Sequence, residues 1–429
     1  MRIPQSGLAA FVALAGAAPA LAQAVYTRPT PTESQVQAQN QAPDNPAQPE
    51  RQYDLSRAER AALSPAIQAV HASNWAAAEA ALPAAQAAAR GADAKYVVGQ
   101  LQVQIGLGTQ NTQLQSAGVD AMLASGSAPA TQLLALYDNQ ARFAAAAGDI
   151  AKADRALDQV IALSPNDPLA IPRAAQLWVD RNNPAHALEF YQRTIAAQEA
   201  AGHPVSAEVR RHALAVAYHA HSPQTLALSR AYLALTPTAS GWHDALVIYR
   251  ELTPGADDRL SLDVYRLMRA AGALTSERDY VEYADLANSG AMFGEVKSVL
   301  EAGLAHNAIT PANAANVRAQ LASANQRSAS DRTSLASERT SALAGANGGA
   351  ALRVGDAFFS YGDYAQAAEL YRAALQKGGQ DANLVNTRLG AALALAGQRA
   401  EAEAAFRTIT GPRAELAQLW LLWLSGRHA

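Results

Sequence analysis

The sequence predicts an all-α chain built as a solenoid of helix-turn-helix repeats, and three observations carry that reading. Half of the 429 residues are hydrophobic but only 6% are aromatic, because Ala dominates the apolar set. Ala loses no side-chain entropy on entering a helix and lets neighbouring helices approach closely. A pattern of small, turn and aromatic residues recurs at a spacing of 35, with Gly355 and Gly390 in one place and Gly362 and Gly397 in another. Pro and Gly fall between the helical stretches, as at Ser164-Pro165, Thr236-Pro237 and Thr253-Pro254, where a helix cannot continue.

The elements follow in chain order. Arg2, an apolar run from Leu8 to Ala18 and the small-x-small box Ala22-Gln23-Ala24 read as a cleavable signal peptide over residues 1–24. Residues 25–52 are rich in Pro and Gln, with Pro29, Pro31, Pro43, Pro46 and Pro49, and read as a disordered linker. The folded part is expected to start near Tyr53. Asn74-Trp75, Ala78 and Leu82 suggest a helix pair over 60–90. A clearer pair covers 134–167, with Ala141, Gly148-Asp149, Ala153 and Leu157, and the next covers 168–201, with Ala175, Asn182-Asn183-Pro184, Ala187 and Tyr191. Residues 95–125 and 205–270 keep helical periodicity but only fragments of the pattern. A degenerate pair lies at 276–309, with Tyr283, Gly290 and Val299.

Residues 310–349 are rich in Ser, Ala, Asn and Arg. Val317, Leu321 and Ala324 have helical spacing with little apolar continuation, so a thin polar helical connection is expected, either a helical pair or a helix ending in a flexible tether at Ala346-Asn347-Gly348-Gly349. This connection is expected to divide an N-terminal stack, 53–309, from a C-terminal pair with a capping helix, 350–429. In that pair the pattern is fullest: Ala351, Gly355, Phe358, Gly362-Asp363-Tyr364, Ala367 and Tyr371, then Leu389-Gly390, Gly397, Ala402 and Phe406. Leu416 to Leu424, with Trp420 and Trp423, is too short to span a bilayer and reads as a final helix docking on the stack.

Position by position, these units resemble the tetratricopeptide repeat (TPR), whose period is about 34. The resemblance implies a right-handed superhelix in which the first helix of each pair lines a concave, partner-binding groove. It places Asp138, Arg142, Gln176 and Asp180 on that face in the N-terminal part. In the C-terminal part it places Leu352, Asp356 and Phe359, then Leu384, Thr387 and Leu395. Asp356 and Ala391 stand where the family's carboxylate-clamp members carry Asn, so a clamp for a chaperone tail is not expected.

The partner class expected is a protein or peptide, in envelope assembly or secretion. A glycan-binding helper of polysaccharide export and a cell-wall hydrolase are the alternatives. The net charge of −3 provides no basic field for nucleic acid. There is no Cys, which excludes disulfides, thiolate metal sites, a Cys nucleophile and a lipid-anchoring lipobox. His203, His212, His219, His221 and His243 lie close in sequence without a carboxylate placed to complete a ligand set, so no metal and no cofactor are expected. No phosphate loop, zinc motif or nucleophile elbow occurs. Some periplasmic lytic transglycosylases carry a similar Ala-rich superhelix. The Glu-Ser pair of their catalytic domain has its one match here at Glu33-Ser34, in the linker. Asp257-Asp258, after Pro254-Gly255, reads as a helix cap.

Export is directly testable. The mature chain recovered from cells is expected to begin at Val25, and N-terminal sequencing that returns an intact Met1 refutes the signal-peptide reading.

Overall fold

The computed structural model describes residues 51–426, except Asn166 and Pro254. The signal peptide and nearly all of the Pro/Gln-rich linker lie outside the described residues. Among those described there are twenty α-helices, one 3-10 turn and no strand. They pack as consecutive antiparallel neighbours in two compact units divided between Ala220 and His221.

The first unit begins with a docked strap. Arg51 donates to the carbonyl of Ser127 at 2.5 Å and to Asp93 at 2.9 Å, and its guanidinium lies over the rings of Tyr53 and Tyr96. Packed structure therefore starts by Arg51, slightly before the expected boundary. Four helix pairs follow: α1 (Arg57–His71) with α2 (Trp75–Ala88), α3 (Ala92–Gly108) with α4 (Thr112–Ala124), α5 (Ala130–Ala146) with α6 (Ile150–Ala162), and α7 (Ala170–Asp180) with α8 (Pro184–Ala200). Helix α9 (Ala207–His219) packs on α8. A capping box of Ser56 and Glu59 starts α1, and Glu59 also accepts the amides of Arg90 and Gly91. The amides of Gly91 and Ser56 lead in holding its carboxyl down to about 2.

The second unit holds α10 (Thr225–Leu235), α11 (Ala239–Leu252), α12 (Asp258–Ala270), α13 (Glu277–Ser289), α14 (Phe293–Ala305), α15 (Ala314–Ala344), α16 (Gly348–Ser360), α17 (Tyr364–Lys377), α18 (Ala382–Leu395) and α19 (Arg399–Arg407). The 3-10 turn Gly411–Arg413 then leads into α20 (Ala414–Gly426). As expected, Asp257 caps α12, accepting the Leu260 amide at 2.8 Å.

The repeat chemistry is visible in the contacts. A Cβ on Gly355 would stand 2.8 Å from the ring of Tyr371, and one on Gly390 would stand 2.6 Å from Phe406. In both pairs the glycine lets an aromatic sixteen residues later lie against the helix backbone. Ala141 with Leu157, and Ala175 with Tyr191, repeat that separation, and all four are buried in one apolar cluster. The turn glycines Gly148, Gly362 and Gly397 share a left-handed φ of 80 to 82°, which other residues adopt only at a cost.

Two expectations are corrected here. The polar stretch is one 31-residue helix, α15, and it lies inside the second unit, packed on α14 and α16, instead of dividing the stack. Its buried residues, Val317, Ala324, Ser328, Leu335 and Ala342, recur mostly every seven and form one narrow seam. The glycines after it are no tether. Asn347 caps α16, Gly348 is buried against the Gly378 carbonyl, and Lys377 Nζ donates to the carbonyls of Ala342, Leu343 and Gly345. The end of the chain forms the expected docking helix: Trp420 is fully buried and stacks on Phe406 at 5.7 Å.

Ala367 is fully buried where α16 meets α17. Replacing it with Leu overpacks that contact and is expected to cost about 1–3 kcal/mol in denaturant unfolding. An unchanged midpoint refutes the register.

Candidate functional site

Helix α12 is the axis of the second unit. Leu260, and every residue from Leu262 to Met268, is buried, so the helix is enclosed on all sides. Two of those residues, Asp263 and Arg266, are charged. Asp263 Oδ1 accepts from Arg266 Nη1 and Arg388 Nε, both at 3.2 Å, and its Oδ2 accepts from Arg413 Nη1 at 2.6 Å. Arg266 also grips Glu295 with two bonds, at 3.0 and 2.7 Å, and Tyr283 donates to that same carboxylate at 2.7 Å. Arg388 reaches on to Asp356, which accepts the Tyr371 hydroxyl at 2.8 Å. Three carboxylates thus meet three guanidiniums, drawn from α12, α14, α16, α18 and the 3-10 turn.

The two aspartates respond differently. Burial pushes the Asp263 carboxyl up, but Arg388, Arg413 and Arg266 together outweigh it and hold the group below the usual carboxylate range. Burial prevails at Asp356, which lies against one guanidinium, and its carboxyl is raised. The Tyr371 hydroxyl is raised well above its ordinary value, by burial first and by Asp356 next.

Above this buried layer opens a cleft of about 440 Å³. Arg269 of α12, Lys297, Ser298 and Glu301 of α14, and Arg332 of α15 line it, together with Phe359 to Gly362 and Tyr364 at the α16–α17 corner and Leu395 of α18. Its walls are tied together. Ser360 Oγ accepts the amides of Gly294 and Glu295 at 3.0 and 3.3 Å, supplying the N-cap that Met292 lacks. Tyr361 donates to Asp331 at 2.6 Å, while Arg332 lies over the Tyr361 ring at 4.8 Å. Arg269 Nη1 donates to Ser298 at 2.9 Å.

The residues assigned to a concave groove divide into three groups. Asp138, Arg142, Gln176 and Asp180 lie on accessible faces of α5 and α7, where Arg142 pairs with Asp138 at 2.8 Å and Gln176 donates to Asp180 at 2.8 Å. Leu352, Asp356, Phe359, Leu384 and Thr387 do not face an open groove. Each is buried: Arg266 of α12 sits 4.2 Å above the Phe359 ring, Arg388 reaches Asp356, and α12 packs onto α18, the helix of Leu384 and Thr387. Leu395 is half-buried and lines the cleft, and Phe359 reaches it only as part of the wall. Among the histidines, His212 pairs with Glu208 at 3.0 Å and His243 with Asp279 at 3.3 Å.

Sequence reasoning missed Asp263, Arg266, Arg388 and Arg413. The available signal was charge inside an apolar run, Leu260-Ser261-Leu262-Asp263-Val264-Tyr265-Arg266-Leu267-Met268, which no one-faced helix would carry. It also missed Arg269, Lys297 and Arg332, which carry no local motif.

No protein family and no curated protein matches the chain. Among solved structures it is similar to a tetratricopeptide repeat protein from Parabacteroides merdae ATCC 43184, at 11% identity over 79% of this chain and 100% of that one, with a TM-score of 0.26. It is also similar to a chain of the Naa15/Naa10 complex bound to HypK-THB, at 12% identity over 83% of this chain and 63% of that one, TM-score 0.33. A third likeness is to the APC/C hetero-tetramer Cut9–Hcn1, at 13% identity over 76% of this chain and 66% of that one, TM-score 0.20. The class is defined by the chain's own helix pairs: an all-α protein of stacked TPR-like repeats.

The buried charges make a stability prediction. Asp263→Asn leaves three guanidiniums short of one negative charge and is expected to cost about 3–5 kcal/mol. Because the folded-state pKa of Asp263 is depressed, its contribution is complete above the unfolded value of about 3.9 and is lost as pH falls through the folded one. Unfolding curves of wild type and Asp263→Asn should therefore converge in acid. A constant gap down to the folded pKa would contradict the assignment.

Proposed function

We propose that this chain is a non-catalytic scaffold, exported to the periplasm, that binds a protein or peptide partner in the cleft of its second unit during envelope assembly or secretion. The observation that supports it most is a cleft whose walls are cross-tied by helix caps and buried ion pairs, while its rim side chains remain accessible. A preformed cleft binds without first paying to order itself.

The cleft chemistry favours binding over hydrolysis. Of its carboxylates, Glu295 is fully engaged by Arg266 and Tyr283, and Glu301 is half exposed beside Lys297 at 3.9 Å. Neither stands in a paired, enclosed arrangement of the kind acid–base hydrolysis of a glycosidic bond uses. The glycan alternative is weaker for a related reason. Sugars stack on open aromatic faces, and here the Phe359 ring is covered by Arg266 and the Tyr361 ring by Arg332. The export and pathway parts of the reading rest on the N-terminal sequence pattern and on the repeat resemblance.

Filling the cleft tests the reading. Ser298→Trp, and independently Leu395→Trp, should abolish recovery of the partners that wild type captures by cross-linking in periplasmic extract, at an unchanged melting temperature. Equal recovery by wild type and by a filled variant that melts normally would remove the cleft from the function.

A further inference from the structure

The charges around the cleft are not balanced. Besides the buried Arg266, three accessible cations line it from three different helices: Arg269 on α12, Lys297 on α14 and Arg332 on α15. Arg269 and Arg332 are exposed, and among the described residues neither has a carboxylate within 4 Å. The Lys297 side chain is 45% exposed, and its one carboxylate neighbour, Glu301, is 3.9 Å away and half exposed itself. Glu295, the other carboxylate of the lining, has both oxygens bound in the buried layer and faces Arg266. What the cleft presents to a ligand is therefore three cations against a single exposed carboxylate, in a chain whose overall charge is −3. The local positive field runs against the charge of the whole molecule.

The rest of the lining narrows the ligand. Leu395 and Tyr364 are half-buried and supply a short apolar wall. Of the other polar groups, Ser298 and the Tyr361 hydroxyl are engaged with Arg269 and Asp331, and Ser360 and Tyr283 with the start of α14. Recognition must then come from charge at the rim with one apolar contact between. The faces of Phe359 and Tyr361 are covered, so a sugar ring or a base would have the half-buried Tyr364 ring to stack on. A volume of about 440 Å³ falls in the range of sites that hold a small molecule or a few side chains.

We infer that the cleft takes an acidic polypeptide segment, its Asp or Glu carboxylates paired with Arg269, Lys297 and Arg332 and an intervening apolar side chain seated on Leu395 and Tyr364. The inference rests on the cleft being the partner site. It adds the partner's chemistry: carboxylates along the segment, with no requirement for a chain terminus. Glu301 then acts as a discriminator, repelling segments whose negative charge runs past Lys297. Because the cations sit on an accessible rim, they govern encounter and salt dependence more than they anchor the complex.

The test uses the full mature chain and three fluorescent probes: a C-terminally amidated peptide of alternating Glu and Leu, the same peptide with Gln for Glu, and an oligogalacturonate. The Glu peptide is expected to bind at least about tenfold more tightly than the Gln peptide, with the difference shrinking as salt rises from about 0.05 to about 0.5 M. Lys297→Glu and Arg269→Glu should each weaken the Glu peptide by about five- to tenfold and leave the Gln peptide unchanged. If either reversal lowers the melting temperature, Lys297→Gln and Arg269→Gln replace them with a smaller loss in the same direction. Equal binding of the Glu and Gln peptides, insensitivity to the substitutions, or tighter binding of oligogalacturonate than of the Glu peptide would each overturn the inference. The two failures are distinguishable. If the Glu peptide is not preferred but Ser298→Trp still loses its captured partners, the cleft stands as the site and the acidic ligand falls. If Ser298→Trp keeps its partners, the site itself falls.

Discussion

A single carboxylate, that of Asp263, is the point on which the second unit depends. Helical repeat stacks are ordinarily held by contacts between neighbours, so that each pair is supported only by the pairs beside it. Here Asp263 joins Arg388 and Arg413, residues 125 and 150 positions further along the chain. The connection is expensive, since each buried ion forfeits several kcal/mol of hydration, and it is offset only where geometry and neutralisation are nearly complete. Both conditions are met, with three acids, three guanidiniums and hydroxyls from Tyr283 and Tyr371 filling the remaining bonds. Other long-range ties follow the same path. Arg230 pairs with Glu415, Tyr249 donates to the Pro412 carbonyl, and Trp423 donates to the Ala270 carbonyl. The second unit is thus closed end to beginning, and its helices share one extended apolar cluster.

That closure also shapes the cleft. Arg266 lies in the buried layer, yet its guanidinium covers Phe359 and its two bonds to Glu295 fix the first turn of α14, just before Lys297 and Ser298. The cap from Ser360 fixes the same turn from the other side. Lys297 and Ser298 are consequently carried on a helix fixed at its start, while the Lys297 side chain stays accessible. This suits recognition of a partner by field and shape more than by an induced rearrangement.

Helix pairs were legible in the residues because their determinants are local. A small residue and a large apolar one sixteen positions apart, with Gly or Asn in the turn between, mark the clearest pairs, and every segment assigned to a pair forms one. Even the stretches with fragmentary pattern, 95–125 and 205–270, are helices placed in series. The candidate site was far less legible. The repeat register assigns Asp356, Phe359, Leu384 and Thr387 to an open face, yet all four are buried, and Asp356 and Phe359 meet Tyr371 and Tyr364 of the second helix of their own pair. It carries no information that a helix more than ninety positions earlier packs into that face. Arg269, Lys297 and Arg332 converge only once α12, α14 and α15 are placed side by side, and each is an ordinary surface residue in its own helix.

Helix α15 stands apart from its neighbours in the way it is held. At 31 residues it is about 46 Å long, yet it is buried only along its seven-residue seam, with small side chains at most of the contacts. Few apolar contacts and a largely solvated backbone define the segments that open first in a native protein. The helix that contributes Arg332, and the Asp331 that holds Tyr361, is therefore the one whose amides should exchange soonest within an otherwise tightly closed unit. The cleft is thus bounded by two supports of unequal durability: a floor tied by buried ion pairs across five elements, and one wall held along a narrow seam.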